Sequence, residues 1–393
     1  MNAAKNRNKI PVRLLAAASQ AEIAVVAVRS ATTLPAGPPG KERETDLRYG
    51  PYLEAVNHML AKDDYQRLFK ALYSRLNRVV TAEEIDCLEI KTEKHGAWYN
   101  VARVDINIAG QKIPFAVNVA AGPEALEQLE KEFRLLKMLN SRYSYRILPD
   151  VYFKGAGLYR ERGKPAKWLH MFVAEWLAGY HEFHFHGDQS DGSRRMLLWD
   201  LDRGSRYLSK EQCKALYRQS AKILTLYYNW NNLRQIYPWH HAAGDFVLRE
   251  KEAGIDLRLI TVRDYVAMVD FTTGKKAGKL LALILFFLHL TIRMRMDRLD
   301  GVGDVVWAED YCLDGVVPGF FEGLREGEGW GRRGMPSPSE IYAVLRSFSR
   351  EEWVEFLVEL LGTYDFSQEE LSFIRDHGDG HLGRLQKLLA TYG

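Results

Sequence analysis

Histidine and aspartate residues, which can hold metals or move protons, occur together in short segments of this chain. The segment YPWHHAAGDF contains His240, His241 and Asp245, and the segment YVAMVDF places Asp270 beside Phe271. A carboxylate is a good ligand for magnesium, and a neutral imidazole can accept a hydroxyl proton near pH 7. These two segments are candidates for a metal-assisted or acid–base site.

The segment GYHEFHFHGD contains His181, His184 and His186. In an extended strand His184 and His186 point to the same side, with Asp188 beyond them. Because zinc favours imidazole and carboxylate ligands, a metal site is one hypothesis. The alternative is a polar connecting segment, since no HExxH helix or distant ligand pair accompanies these histidines.

Composition narrows the possible classes of protein. The 393 residues are 47% hydrophobic, and 54 basic residues nearly balance 51 acidic ones, so no global basic field favours nucleic acid or a membrane surface. Three scattered cysteines favour neither a disulfide framework nor a thiolate metal site, and predict a cytoplasmic protein. The longest apolar run, Leu280 to Leu290, is about half the length of a membrane span and predicts a buried core helix.

The first half of the chain reads as a tail followed by alternating elements. The composition of residues 1–48 predicts a disordered tail that ends in a Pro/Gly-rich linker. Two amphipathic helices follow, and then period-two segments predict a three-stranded meander from about Asp86. A helix that begins near Pro123 and two further strands, ILPDVYFKG and KWLHMFVAEWL, complete the pattern. The second half is mostly helical, with a short β region between two long helices.

This order of elements resembles the protein-kinase-like superfamily, in particular the aminoglycoside phosphotransferases and the lipopolysaccharide kinases. The resemblance covers about Ile85 to Phe271 and implies an α+β, bilobal fold. Residues 49–178 would be the N-lobe, a five-stranded sheet with one helix and two preceding helices. Residues 179–393 would be a mainly helical C-lobe.

Several nucleotide-binding positions of that family have counterparts in the predicted N-lobe. The strand sequence FAVN resembles the family's Ala-x-Lys, so Asn118 stands where a lysine would grip the phosphates. Glu132 matches the spacing of the glutamate that pairs with that lysine, although a solvated helix-face glutamate is the alternative. The phosphate-covering loop falls in EKHGAWYN, where a plain hairpin turn is the alternative. The phosphate contacts that the resemblance implies there are Lys94, His95 and Gly96.

The hinge and the catalytic loop come next in the family order. MFVAEWLAG resembles the last strand and hinge, where backbone groups of Glu175 to Leu177 would bind adenine. YPWHHAAGDF resembles the catalytic loop in either of two registers. In the first, Asp245 corresponds to the aspartate of an HGD motif, which is the base or orienter of the attacking hydroxyl. In the second, which we prefer, His240 replaces the catalytic aspartate and Asp245 replaces the metal-binding asparagine.

Asp270 resembles the metal-binding aspartate that follows a strand in the family. The resemblance therefore implies transfer of phosphate from ATP, with magnesium held by Asp245 and Asp270, to a hydroxyl group of a small molecule or glycan. The loss of lysine at Asn118 supports an alternative, a pseudokinase-like binding module without efficient transfer.

Overall fold

The computed structural model describes residues 10–15, 33–36, 43–95, 98–120, 122–187, 194–200, 203–252, 254–269, 276–301, 303–331 and 334–392. The chain divides into two compact units, Met1–Ala178 and Gly179–Gly393.

The first unit is an α+β unit built on one mixed sheet. The strands and helices of this unit, in chain order, are β1 (Val12–Leu15), β2 (Thr33–Ala36), β3 (Arg43–Arg48), α1 (Tyr49–Leu60), α2 (Gln66–Leu76), β4 (Ile85–His95), β5 (Tyr99–Ile108), β6 (Gln111–Ala120), α3 (Pro123–Arg142), β7 (Val151–Tyr159) and β8 (Lys167–Glu175). The strands of the sheet lie in the order β1-β4-β5-β6-β8-β7, in which β1 runs parallel to β4 and every other pair is antiparallel.

The predicted meander, helix and two strands are all present, but the sheet has a sixth strand. Three short strands lie within residues 1–48, where the sequence predicts a disordered tail. Strand β1 forms the edge of the sheet, where its backbone pairs with β4, and Ile10 beside it is buried. Such pairing uses backbone groups, so the composition of the segment carries little sign of it.

Helix α1 packs against this sheet because its apolar residues recur on one face. Tyr52, Val56 and Met59 are buried among sheet residues, and the Tyr52 hydroxyl donates to the carbonyl oxygen of Asn100 at 3.1 Å. The helix crosses β7 at a glycine, since a Cβ built on Gly157 would lie 1.8 Å from the carbonyl oxygen of Ala55. Only glycine permits this approach of helix to strand.

In its described residues, the second unit combines helices with four small sheets. The elements, in chain order, are β9 (Glu182–Gly187), β10 (Arg194–Trp199), β11 (Arg206–Tyr207), α4 (Lys210–Leu226), β12 (Arg234–Ile236), β13 (Phe246–Lys251), β14 (Gly254–Leu259), β15 (Tyr265–Ala267), α5 (Lys276–Arg293), β16 (Met296–Arg298), β17 (Val305–Trp307), α6 (Tyr311–Glu326), α7 (Pro338–Ser347), α8 (Arg350–Thr363) and α9 (Gln368–Thr391). A three-stranded sheet has the order β11-β10-β9, and the antiparallel pairs are β12 with β15, β13 with β14, and β16 with β17.

The core of this unit forms around α5 and the packed pair α4 and α6. The apolar run predicted as a core helix is α5, and Phe287 within it contacts Phe320 of α6 at a ring separation of 4.6 Å. None of the helices in the described ranges is both long and apolar enough to cross a membrane. All three cysteines are buried free thiols.

Helices α4 and α6 approach each other closely because glycines recur along one face of α6. A Cβ on Gly315 would lie 2.4 Å from the carbonyl oxygen of Lys214, and one on Gly319 would lie 2.1 Å from that of Arg218. The ion pair between Arg218 and Glu322 flanks this contact. Four helices in this unit also begin with a capping box, in which a serine side chain and the third helical residue exchange hydrogen bonds with backbone N–H groups.

Candidate functional site

The loop predicted to carry chemistry connects β12 to β13 and is held at both ends by β pairing. Strand β12 pairs with β15, and β13 pairs with β14, so both flanks of the loop belong to small sheets. The backbone N–H of Ile260, just after β14, donates to the carbonyl oxygen of Asp245 at 2.8 Å. Residues His241–Asp245 form a single wide turn, and Gly244 has a positive φ of 82°. The loop backbone is therefore fixed by its neighbours.

The carboxylate of Asp245 is fully engaged inside the protein. It is only 2% exposed, and Arg263 binds both of its oxygens, with a distance of 2.5 Å from Nη2 to Oδ1. The backbone N–H of His240 also donates to Oδ2 at 2.8 Å. The hydrogen bonds of a bidentate guanidinium–carboxylate pair are among the strongest in proteins. Asp245 thus neutralises Arg263 and closes the loop on itself.

His240 lies beside a second arginine. Nη2 of Arg293 is 3.2 Å from Nδ1 of His240 and 3.4 Å from Nε2, and Arg293 is itself paired with Glu370. Burial, together with the positive charge of Arg293, lowers the pKa of His240, so its imidazole is neutral near pH 7. Because arginine can only donate, its N–H group competes for the ring lone pair that would accept a hydroxyl proton.

The neighbouring His241 forms a fully buried pair with Asp297 of β16. The distance from its Nδ1 to Oδ2 of Asp297 is 3.1 Å, and Asp297 also accepts from the backbone N–H groups of Ala242 at 2.7 Å and Arg298 at 2.8 Å. Burial lowers the pKa of His241 to about 4. Although burial opposes it, the pKa of Asp297 is also lowered, because His241 and the two N–H groups favour the carboxylate. Asp297 therefore fixes the loop backbone through an ionised side chain.

Sequence reasoning missed Asp297 and both arginines. Asp297 is 55 positions from Ala242, and Arg263 is 18 positions from Asp245. Neither residue stands in a motif that would have drawn attention to it. Arg293 had only a weak signal, as the last basic residue of α5.

In the first unit, Glu132 accepts a hydrogen bond from a tyrosine, whereas the resemblance implies a lysine partner. It is buried in α3, only 3% exposed, and its Oε2 accepts from the hydroxyl of Tyr99 at 2.8 Å. The alternative of a solvated helix-face glutamate is therefore wrong. Asn118 lies in β6 between Val101 of β5 and Phe172 of β8.

The predicted phosphate loop is shorter than the sequence indicates. Strand β4 continues through Lys94 and His95, which pair with Val101 and Asn100 of β5. Gly96 lies outside the described residues.

The predicted hinge follows β8 directly, as expected, but one of its backbone donors is already used. The N–H of Glu175 donates to the carbonyl oxygen of Asp150 at 2.7 Å, and its side chain accepts from Arg75 of α2 at 2.5 Å. Leu177, two residues later, is partly buried and outside regular structure. Asp270, the predicted metal ligand of the second unit, lies outside the described residues.

The three histidines of GYHEFHFHGD do not converge on one point. Among the described residues, each is paired with a different carboxylate: His181 with Asp200 at 3.8 Å, His184 with Glu182 at 3.6 Å and His186 with Asp300 at 2.7 Å. Within the described ranges, which exclude Asp188, no three residues of the types His, Cys, Asp and Glu are grouped to hold a metal ion. The zinc hypothesis has no support among these residues.

No protein-family model matches this chain, and no curated protein matches it in sequence. Among solved structures, the chain is similar to choline kinase from Cryptosporidium parvum Iowa II, at 10% sequence identity and a TM-score of 0.30. The alignment covers 77% of this chain and 94% of that chain. A correspondence this loose transfers no residue roles to this protein.

Proposed function

We propose that this chain is a kinase-like ligand-binding protein in which the loop at His240–Asp245 no longer supports efficient phosphate transfer. The observation that carries the proposal is the buried, bidentate ion pair between Asp245 and Arg263. The kinase-like interpretation itself rests on the order of elements within each unit and on the local sequence patterns.

Phosphate transfer depends on positive charge at the phosphates and on carboxylates that hold magnesium. Asn118 is neutral, and Glu132 accepts a hydrogen bond from Tyr99. A magnesium ion at Asp245 would have to displace a guanidinium that already binds both carboxylate oxygens. Magnesium does not fit Asp245 in this arrangement.

The second candidate is an ATP- and magnesium-dependent phosphotransferase that acts on a hydroxyl group of a small molecule or glycan. The observation that favours it is the neutral imidazole of His240, which would orient the acceptor hydroxyl and take its proton. In this candidate Asp270 holds the metal, and the protein is cytoplasmic. The nucleotide contacts are then Lys94, His95, Gly96, Asn118, Glu132, Glu175 and Leu177.

Thermal unfolding of the full chain with ATP, in the presence and absence of magnesium, tests both candidates when combined with an assay for ADP release. We expect ATP to raise the unfolding temperature, without turnover and with little dependence on magnesium. Magnesium-dependent turnover that is lost in His240→Gln and in Asp270→Ala would replace our proposal with the second candidate. The absence of any nucleotide effect would remove the kinase-like interpretation altogether.

A further inference from the structure

A small cavity lies within the first unit, between α2 and β7, and the proposed function leaves it without a role. Its volume is about 190 Å³, and the side chains that line it include Arg67, Lys70 and Ser74 of α2 and Tyr152 and Phe153 of β7. A water molecule takes up about 30 Å³ in the liquid, and drug-sized pockets measure roughly 300–1,000 Å³. The cavity therefore has room for one ring or a short chain.

An irregularity of β7 gives the cavity an apolar wall. The register of β7 against β8 shifts between Val151 and Phe153, which marks a β-bulge. Consecutive residues of a regular strand point to opposite faces of the sheet, yet Tyr152 and Phe153 both pack against the same apolar core. The ring of Tyr152 lies 5.3 Å from that of Phe115. The bulge thus places two adjacent aromatic rings on the side of the strand that faces α2.

Arg67 and Lys70 give the opposite wall two positive charges. Nη1 of Arg67 donates to the carbonyl oxygen of Lys154 at 3.0 Å, whereas the Asp63 carboxylate is 3.8 Å from Nη2, beyond hydrogen-bond distance. Lys70 is exposed and has no ion pair among the described residues. None of the side chains that line the cavity is acidic. Because cations three positions apart on a helix repel each other, an anion between these two would be stabilising.

Tyr152 adds a neutral hydrogen-bond donor to this wall of charges. Its hydroxyl is buried beside Arg75 and makes no hydrogen bond of normal geometry with the described residues, while Arg75 binds Glu175. Burial raises the pKa of Tyr152, so the hydroxyl keeps its proton near pH 7. Since buried polar groups in native proteins are nearly always paired, an oxygen of a bound anion would supply the acceptor that this hydroxyl lacks.

We propose that the cavity between α2 and β7 binds a small organic anion, a carboxylate or phosphate attached to one ring or short chain. Arg67 and Lys70 hold the charged group, because ionised donors make the stronger hydrogen bonds to carboxylate and phosphate oxygens. The rings of Tyr152 and Phe153 contact the apolar body. The site lies within the first unit and uses none of the residues named above as nucleotide contacts, so it does not depend on the proposed function.

Saturation-transfer difference NMR of the full chain without nucleotide tests the proposal. The probes are benzoate and phenyl phosphate, with benzamide as the neutral counterpart of benzoate. We expect one or both anions to bind the wild type, and benzamide to bind at least about 10-fold more weakly. Lys70→Glu and Arg67→Gln should each weaken binding of the anion about 10-fold or more. Lys137→Glu, at another exposed helix lysine of the first unit, is the matched control and should bind like the wild type.

Three results would overturn the proposal. The first is no binding of either anion to the wild type, and the second is binding of benzamide that is as tight as that of benzoate. The third is equal affinity in Lys70→Glu and Lys137→Glu, which would show that any binding is not at this cavity. Because Lys70 is exposed, Lys70→Glu remains informative if Arg67→Gln fails to fold. The titration contains no ATP, so its failure and a failure of the nucleotide experiment are distinguishable.

Discussion

Replacing Arg263 by glutamine should destabilise the second unit strongly, because it leaves the Asp245 carboxylate buried without its counter-charge. Removing one partner of a buried ion pair typically costs about 3–5 kcal/mol. Asp245 is only 2% exposed, but the side chain of Arg263 is 25% exposed, so we expect the lower end, about 3 kcal/mol. For a unit of this size, Gly179–Gly393, that corresponds to a fall of about 6–12 °C in unfolding temperature.

Replacing Asp245 should cost less stability than replacing Arg263. In Asp245→Asn the remaining arginine can turn toward water, and the asparagine oxygen can still accept from the N–H of His240. We therefore expect a smaller cost, about 1–2 kcal/mol. The double variant, which buries no lone carboxylate, should be more stable than the sum of the single costs predicts.

Differential scanning calorimetry of the wild type, both single variants and the double variant measures this coupling. A loss of less than about 1 kcal/mol in the unfolding free energy of Arg263→Gln would refute the reasoning, because a buried carboxylate without its counter-charge destabilises a protein by more than that. Strict additivity in the double variant would show that the two side chains are not coupled.

Other parts of the structure give further tests. Gly319→Ala should cost about 1–3 kcal/mol in chemical denaturation, because α4 and α6 must separate, whereas Gly362→Ala, with nothing within 4 Å of the new methyl group, should be neutral or stabilising. His241 has a folded-state pKa of about 4 against an ordinary 6.5, so the unfolded chain binds its proton first. Stability should therefore fall by about 3 kcal/mol as the pH drops from about 6.5 to 4, and a pH series of denaturation midpoints should show a shallower fall in His241→Asn. Tyr99→Phe removes one hydrogen bond from the buried Glu132 and should lower the unfolding free energy by about 1–3 kcal/mol in denaturant titrations, and equal stability would show that the bond is unimportant.

Local patterns in the sequence were sufficient for many of the elements. The helix at Pro123–Arg142, the buried helix at Lys276–Arg293 and the hairpin after Asp245 follow from periodicity, a proline at a helix start and an apolar run. Strands β1, β2 and β3 within residues 1–48 were not foreseen, because backbone pairing leaves little trace in composition.

The loop YPWHHAAGDF shows where sequence reasoning stops. Its residue types and its position before a hairpin marked it as a candidate site, and those features are local. Whether Asp245 would face a metal or a guanidinium depended on Arg263, which β14 and the turn after it bring back to the loop. What a side chain can do depends on the charged groups that the tertiary structure brings next to it. Next to Asp245 the tertiary structure places Arg263.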